Sequence, residues 1–210
     1  MKTLIAIPCM DMVHTLFFTS VLGMDKMGSA EVSVCASSLV YDSRNKLAHK
    51  AVSEGFDRVL WLDSDMRFDP DLLSRLSAHL DAGKEMVCGL YFTRKAPVVP
   101  CVYSALEIVD GVPTAPPIHD FPKDQLFQVA GCGFGAVLMT ADLIRRVADR
   151  FGGLPFSPVA GFGEDFSFCL RAREIGAEIW CDPTVRADHL GVALFNESTY
   201  LQAKEAQTNA

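Results

Sequence analysis

Two aspartates stand one residue apart at the end of an apolar run, in VLWLDSDMRF over residues 59–68. In an extended chain residues i and i+2 project to the same side, so Asp63 and Asp65 present their carboxylates together. Carboxylate oxygens suit hard divalent cations, which keep other positions for water and phosphate oxygens. A D-x-D pair at a strand end can therefore hold an ion that clamps a diphosphate. It reads also as a helix-capping, solvated turn. A second acidic pair, Glu164-Asp165 in GFGEDFSFCL, lies where a glycine-containing loop runs into a helix. Helix starts favour acidic residues through the dipole and the free N–H groups. One of the pair is also placed to act as a general base beside a substrate hydroxyl, with the glycines admitting substrate close to the backbone. His189, in RADHLG, either offers imidazole to the same ion or is structural. Arg44, with Asn45 in YDSRNKLAHKA, falls in the first turn of a helix, where positive charge opposes the dipole. It either binds a base, ribose or phosphate, or lies on a solvated face.

These groups need a scaffold that brings distant residues together. Residues 2–7 read as a buried strand. A helix with an apolar face through Val13, Leu16, Phe17, Val21 and Met24 follows. AEVSVCAS is a strand, and DSRNKLAHKAVSEG is a helix from Asp42 or Ser43 to Gly55. FDRVLWLDSD is the next strand. Asp69 and Pro70 signal the start of a helix that closes at Gly83, before the strand EMVCGLYF. The first ninety residues thus read β-α-β-α-β-α-β, an α/β pattern with a mainly parallel sheet flanked by helices. Ligands bind such sheets at the carboxyl ends of strands, where Asp63 and Asp65 lie. Residues 95–127 carry six prolines and a hairpin signal at Asp110-Gly111. After them come a glycine-rich strand, a helix in ADLIRRVADRFG, a helix from about Glu164, and a final strand AEIWCDP followed by TVRADHLG. One domain over residues 1–195 is expected, with halves 1–93 and 94–195, and a polar, frayed tail over 196–210.

Composition narrows the function. Of 210 residues, 50% are apolar and 21% charged, enough for a full core. The net charge of -7 leaves no electrostatic footprint for nucleic acid. No stretch reaches the length of a membrane span, and MKTLIAIPCMDM is too short an apolar run for a leader. The seven cysteines show no C-x-x-C spacing and read as reduced core residues of a cytoplasmic protein. Glycines 131, 133 and 135 lack the dinucleotide spacing, and neither a Walker A nor a G-x-S-x-G motif occurs.

IAIPCMD, SRNKLAHKA, VLWLDSDMRFDPDLL, GCGFGAVLMTADLI, GEDFSFCLRAREIGAEIWCDP and DHLG, in this order across residues 4–191, resemble the family 2-like glycosyltransferases of the GT-A fold. The resemblance implies a nucleotide-sugar donor, most often a UDP-sugar, bound through Mn2+ or Mg2+. It implies Asp65 as a direct metal ligand, Asp63 on the ribose or on the metal through water, and His189 completing the metal site. Pro8, Cys9, Asp11 and Ser64 would line the nucleotide pocket, with Arg44 near base or ribose and Gly131 and Gly133 near the donor sugar. Glu164-Asp165 would supply the catalytic base, with Asp165 the base itself, and the metal would neutralise charge on the leaving diphosphate. The opening IPCMD departs from the usual pattern, and no Q-x-x-R-W motif of processive synthases is present. The acceptor, whether glycan, protein or small molecule, is not legible. Three rivals stand beside this reading. One is a non-catalytic module that binds nucleotide or glycan. Another is a D-x-D phosphohydrolase, for which Met66 stands at an unsuitable position. The third is a sugar-phosphate nucleotidylyltransferase, which would show a glycine-rich loop with Arg and Lys after the first strand where this chain has PCMDMVHT.

Overall fold

The computed structural model describes residues 1–191, so the expected tail over 196–210 lies outside the described residues. The elements, in chain order, are β1 (Thr3–Cys9), α1 (Thr15–Gly23), β2 (Glu31–Ala36), α2 (Val40–Ser53), β3 (Arg58–Leu62), β4 (Met66–Phe68), α3 (Leu72–Asp81) and β5 (Met86–Leu90). Next come β6 (Val102–Tyr103), β7 (Glu107–Val109), β8 (Val112–Thr114), β9 (Phe127–Val129), β10 (Gly131–Cys132) and β11 (Ala136–Thr140). The last are α4 (Ala141–Arg150), α5 (Glu164–Glu174) and β12 (Ile179–His189). Among the described residues, eight strands form one sheet in the order β2-β1-β3-β11-β5-β12-β4, with β9 beside β12. β1, β2, β3, β5 and β12 run one way, and β4, β9 and β11 run against them. The sheet is thus mixed and mainly parallel.

β1, β3 and β5 are apolar at almost every position because both their faces are covered. Side chains alternate between two cores. Leu4, Ala6, Val59 and Trp61 face the α2–α4–α5 side, with Phe156 and Phe168. Ile5, Ile7, Leu60 and Leu62 face the α1–α3 side, with Phe17, Leu72 and Leu76. α4 starts cleanly because the Thr140 hydroxyl accepts the Leu143 N–H at 3.2 Å, and its Leu143, Ile144 and Val147 are buried. The hairpin β7–β8 turns at Asp110 and Gly111, both at positive φ (51° and 77°), as the sequence signal requires.

One strand placement goes beyond the sequence reading, and two expected helix starts change. β11 lies between β3 and β5, so those two strands do not pair. α2 starts at Val40, earlier than Asp42, because the Ser37 hydroxyl accepts the Leu39 N–H and donates to Asp42 Oδ2, bracketing the first turn. Arg44 therefore sits in the second turn. α3 starts at Leu72, after Asp71, and not at Asp69-Pro70. The Pro70 carbonyl is held by the Asp25 N–H at 2.9 Å, which keeps that segment in a turn.

One irregularity positions the site. Between Asp182 and Arg186 β12 advances four residues while β5 advances one, from Gly89 to Leu90. The bulge presses on Gly89, where a Cβ would meet the Val185 carbonyl oxygen at 2.9 Å. Asp182 locks it. Its Oδ1 accepts the Thr184 N–H (2.8 Å) and hydroxyl (2.6 Å), and its Oδ2 meets His79 Nε2 at 2.8 Å. Beyond the bulge β12 pairs with β4, setting His189 opposite Met66, next in sequence to Asp65.

Candidate active site

A cleft of about 500 Å³ opens at the carboxyl ends of β1, β3 and β5, in the size range of small-molecule sites. Pro8 and Cys9 enter it from the end of β1, and Asp63, Ser64 and Asp65 from the end of β3. Arg44 comes from α2, Glu164 and Asp165 from the start of α5, and His189 from the end of β12. Residues up to 181 positions apart in the chain, from Pro8 to His189, thus meet at one opening.

Two ion-pair clusters organise the walls. Arg44 is 2% exposed. Its Nη2 donates to Asp63 Oδ1 at 2.7 Å and its Nε to Glu164 Oε1 at 3.3 Å. Its guanidinium lies 5.2 Å from the Phe134 ring centroid and 5.7 Å from that of Trp61. Arg44 therefore ties the strand end to the α5 start from beneath, and its buried Nη1 has no partner among the described residues. The second cluster is at the rim. His189 Nδ1 lies 3.0 Å from the Phe92 carbonyl oxygen, which can only accept, so Nδ1 carries the proton. Nε2 then faces Asp65 Oδ2 at 3.5 Å. Arg94 Nη1 donates to the same Oδ2 and to the Leu190 carbonyl oxygen.

Electrostatics separate the carboxylates. Asp165 lines the cleft wall with protein on its other sides, and burial pushes it up to about 7, helped by the neighbouring charge of Glu164. The Phe166 N–H and Arg44 pull the other way and do not prevail. Burial works to raise Asp65 as well, but the His189 hydrogen bond and the charges of His189 and Arg94 leave it below the ordinary carboxylate value. Bonding to Asp65 raises His189. The site thus holds one carboxyl that exchanges its proton near neutrality and one that stays ionised.

No group of three His, Cys, Asp or Glu side chains stands in metal-holding geometry among the described residues. The expected set of Asp63, Asp65 and His189 is not gathered in this way: Asp63 Oδ1 is paired with Arg44, and Asp65 Oδ2 with Arg94 and His189. Asp65 and His189 fit a divalent ion as two ligands: an oxygen, and a nitrogen whose tautomer is set by a backbone carbonyl behind it. Three other expected site residues lie outside the cleft lining. Gly131 and Gly133 do not line the cleft. A Cβ on Gly131 would meet Leu106 Cδ1 at 2.8 Å, and one on Gly133 would collide with the Tyr91 hydroxyl, so both serve packing. Asp11 is exposed and outside the lining. Arg44 lies on no solvated face, and it meets carboxylates where a nucleotide contact was expected. The cleft also includes Ser37 and Ser38, which follow a strand end, and Tyr91 and Arg94, which follow another. The strand-end rule could have found all four.

No protein-family model matches the chain, and no curated protein matches it. Solved structures do. The chain is similar to A197 from STIV with a TM-score of 0.67 and 18% identity, over 91% of this chain and 87% of that one. It is similar to GalNAc-T7, crystallised with UDP, GalNAc and Mn2+, with a TM-score of 0.65 and 11% identity, over 91% of this chain and 43% of that one. This chain therefore spans less than half the length of GalNAc-T7. At these identities the likeness is one of fold. The architecture is GT-A-like, a Rossmann-type sheet flanked by helices.

Proposed function

We propose that the protein is a metal-dependent glycosyltransferase that moves a sugar from a nucleotide-sugar, a UDP-sugar, to an acceptor hydroxyl with inversion. The observation that carries this reading is the meeting of Asp65, His189 and Asp165 in one cleft of a GT-A-like fold. In this reading the donor lies along the ends of β1 and β3, with its diphosphate toward Asp65 and His189. Those two residues would hold Mn2+ or Mg2+, which when bound supplies positive charge to the leaving diphosphate. Asp63 is kept by Arg44 and presents its other oxygen to the cleft. Asp165 takes the acceptor proton as the hydroxyl oxygen attacks the anomeric carbon from the face opposite the diphosphate. Glu164, held by Arg44, keeps a negative charge beside Asp165 and so raises its basicity. A phosphohydrolase would need a carboxylate free to act as nucleophile at the strand end, and the Arg44 grip on Asp63 counts against it. The reducing, cytoplasmic setting belongs to this proposal, on the grounds that five of the seven thiols are buried in the core. Among the described residues no helix is long and apolar enough to cross a membrane.

The test is calorimetric titration of UDP and GDP with Mn2+ and with EDTA, on the wild-type protein and on Asp65→Ala. Binding that needs both the metal and Asp65 is expected. Equal binding with EDTA, or no binding of either nucleotide, would overturn the donor assignment.

A further inference from the structure

The Asp65 corner is already occupied by a cation of the chain itself. Arg94 leaves β5 through a turn held by the Thr93 hydroxyl, which accepts the Val99 N–H at 3.0 Å and donates to the Pro97 carbonyl oxygen at 3.1 Å. Its stem packs on Gly191, where a Cβ would press on Arg94 Cβ at 3.2 Å and Cδ at 3.3 Å. The backbone under this seat is fixed, since the Leu190 N–H donates to the Asp65 carbonyl oxygen at 2.7 Å. The guanidinium thus rests on a prepared surface, on the same Oδ2 that His189 faces.

A guanidinium and a divalent ion cannot share one carboxylate oxygen: like charges at contact distance repel strongly. Arg94 is half-exposed, so it is able to leave. It also has somewhere to go. The cleft carries four carboxylates, at Asp63, Asp65, Glu164 and Asp165, and a diphosphate entering it needs positive charge. Arg44 is buried and committed to Asp63 and Glu164. Arg94 is the arginine of the lining whose planar fork can reach phosphate oxygens from the rim.

We propose that Arg94 is a resident cation that holds Asp65 in the empty site and moves to the donor diphosphate when a divalent ion takes its place. The proposal rests on the donor reading above. It makes metal and nucleotide mutually dependent: the diphosphate draws Arg94 off the oxygen the metal needs, the metal releases Arg94 to the diphosphate, and the coupling is reciprocal.

The test uses Arg94→Gln and Arg94→Lys, whose melting temperatures should match wild type because the side chain is at the rim. Mn2+ is titrated alone, by the paramagnetic resonance of the free ion, and UDP is titrated calorimetrically without metal and with Mn2+. Arg94→Gln should bind Mn2+ alone about two- to fivefold more tightly, since a half-exposed ion pair no longer competes. At saturating Mn2+ it should bind UDP more weakly by a similar factor, and UDP should tighten Mn2+ binding less than in wild type, while Arg94→Lys keeps most of that enhancement. If Arg94→Gln binds Mn2+ alone no more tightly than wild type, the proposal is overturned, whatever UDP does. If wild type binds UDP with Mn2+ in that case, the donor reading stands and this inference alone falls. If wild type binds no nucleotide, the donor reading falls and the diphosphate role of Arg94 goes with it.

Discussion

Asp165 is the residue whose environment does most to set its chemistry. A carboxyl brought up to about 7 is half-ionised near neutrality, so it can accept a proton and still be regenerated. Under the proposed function, Asp165→Asn should abolish transfer and donor hydrolysis while leaving UDP binding within about twofold, because the amide has no basic oxygen of that strength. In the wild type kcat/KM should rise with pH through about 7, as Asp165 loses its proton. The same group affects stability. Its folded value lies above its unfolded one, so its contribution is full below about pH 4 and is lost as pH rises through the folded value. Asp165→Asn should therefore be more stable than wild type at pH 8, by about 1–3 kcal/mol after allowance for screening through the cleft, and equal to it near pH 4. Urea denaturation at the two pH values measures this. Arg44 is the counterpart. Arg44→Met leaves Asp63 and Glu164 without their shared cation, and should cost about 2–4 kcal/mol by the same measurement at pH 7, diminishing as pH falls and Asp63, already raised by burial, takes up a proton.

At the scale of elements, the bulge in β12 sets the geometry of the rim. A regular strand would have continued along β5, whereas the extra residues between Asp182 and Arg186 let the chain pair with β4 and deliver His189 to Asp65. Gly89 makes room for this and has no part in the chemistry. Gly89→Ala should push the bulge away, lowering stability by about 1–3 kcal/mol as other overpacked sites do. It should also weaken Mn2+-dependent UDP binding although no ligand residue has changed, which parallel melting and titration would show. An unaltered titration would mean that the bulge does not control His189.

For the molecule as a whole, the sheet is covered on both faces by two separate cores, and its thiols report on them. Cys88, Cys101, Cys132, Cys169 and Cys181 are buried, while Cys9 and Cys35 are half-buried near the β1–β2 edge. Under native conditions a thiol reagent should modify Cys35 and Cys9 only, Cys9 the more slowly since burial and the nearby Cys35 and Asp11 hold its thiol up. The other five should react only at the rate of global unfolding, and mass spectrometry of the modified protein over time would resolve the two classes. Fast reaction at Cys88 or Cys181 would mean that the centre of the sheet opens locally.

The α/β class, most elements, the hairpin at Asp110-Gly111 and the strand ends at Asp63 and Asp65 were legible in the sequence, because each depends on local periodicity, turn chemistry or a run of apolar residues. The placement of β11 between β3 and β5 was not, since strand pairing is a choice among partners far apart in the chain. The site divides in the same way. Asp65, Asp165 and His189 announced themselves by type and by position at element ends. That Arg44 grips Asp63 from below, that Gly133 makes room for Tyr91, and that Arg94 sits on Asp65 all depend on contacts between residues 19 to 120 positions apart. Only the tertiary structure decides them, because a side chain's partner is fixed by where the backbone folds and not by its neighbours in sequence.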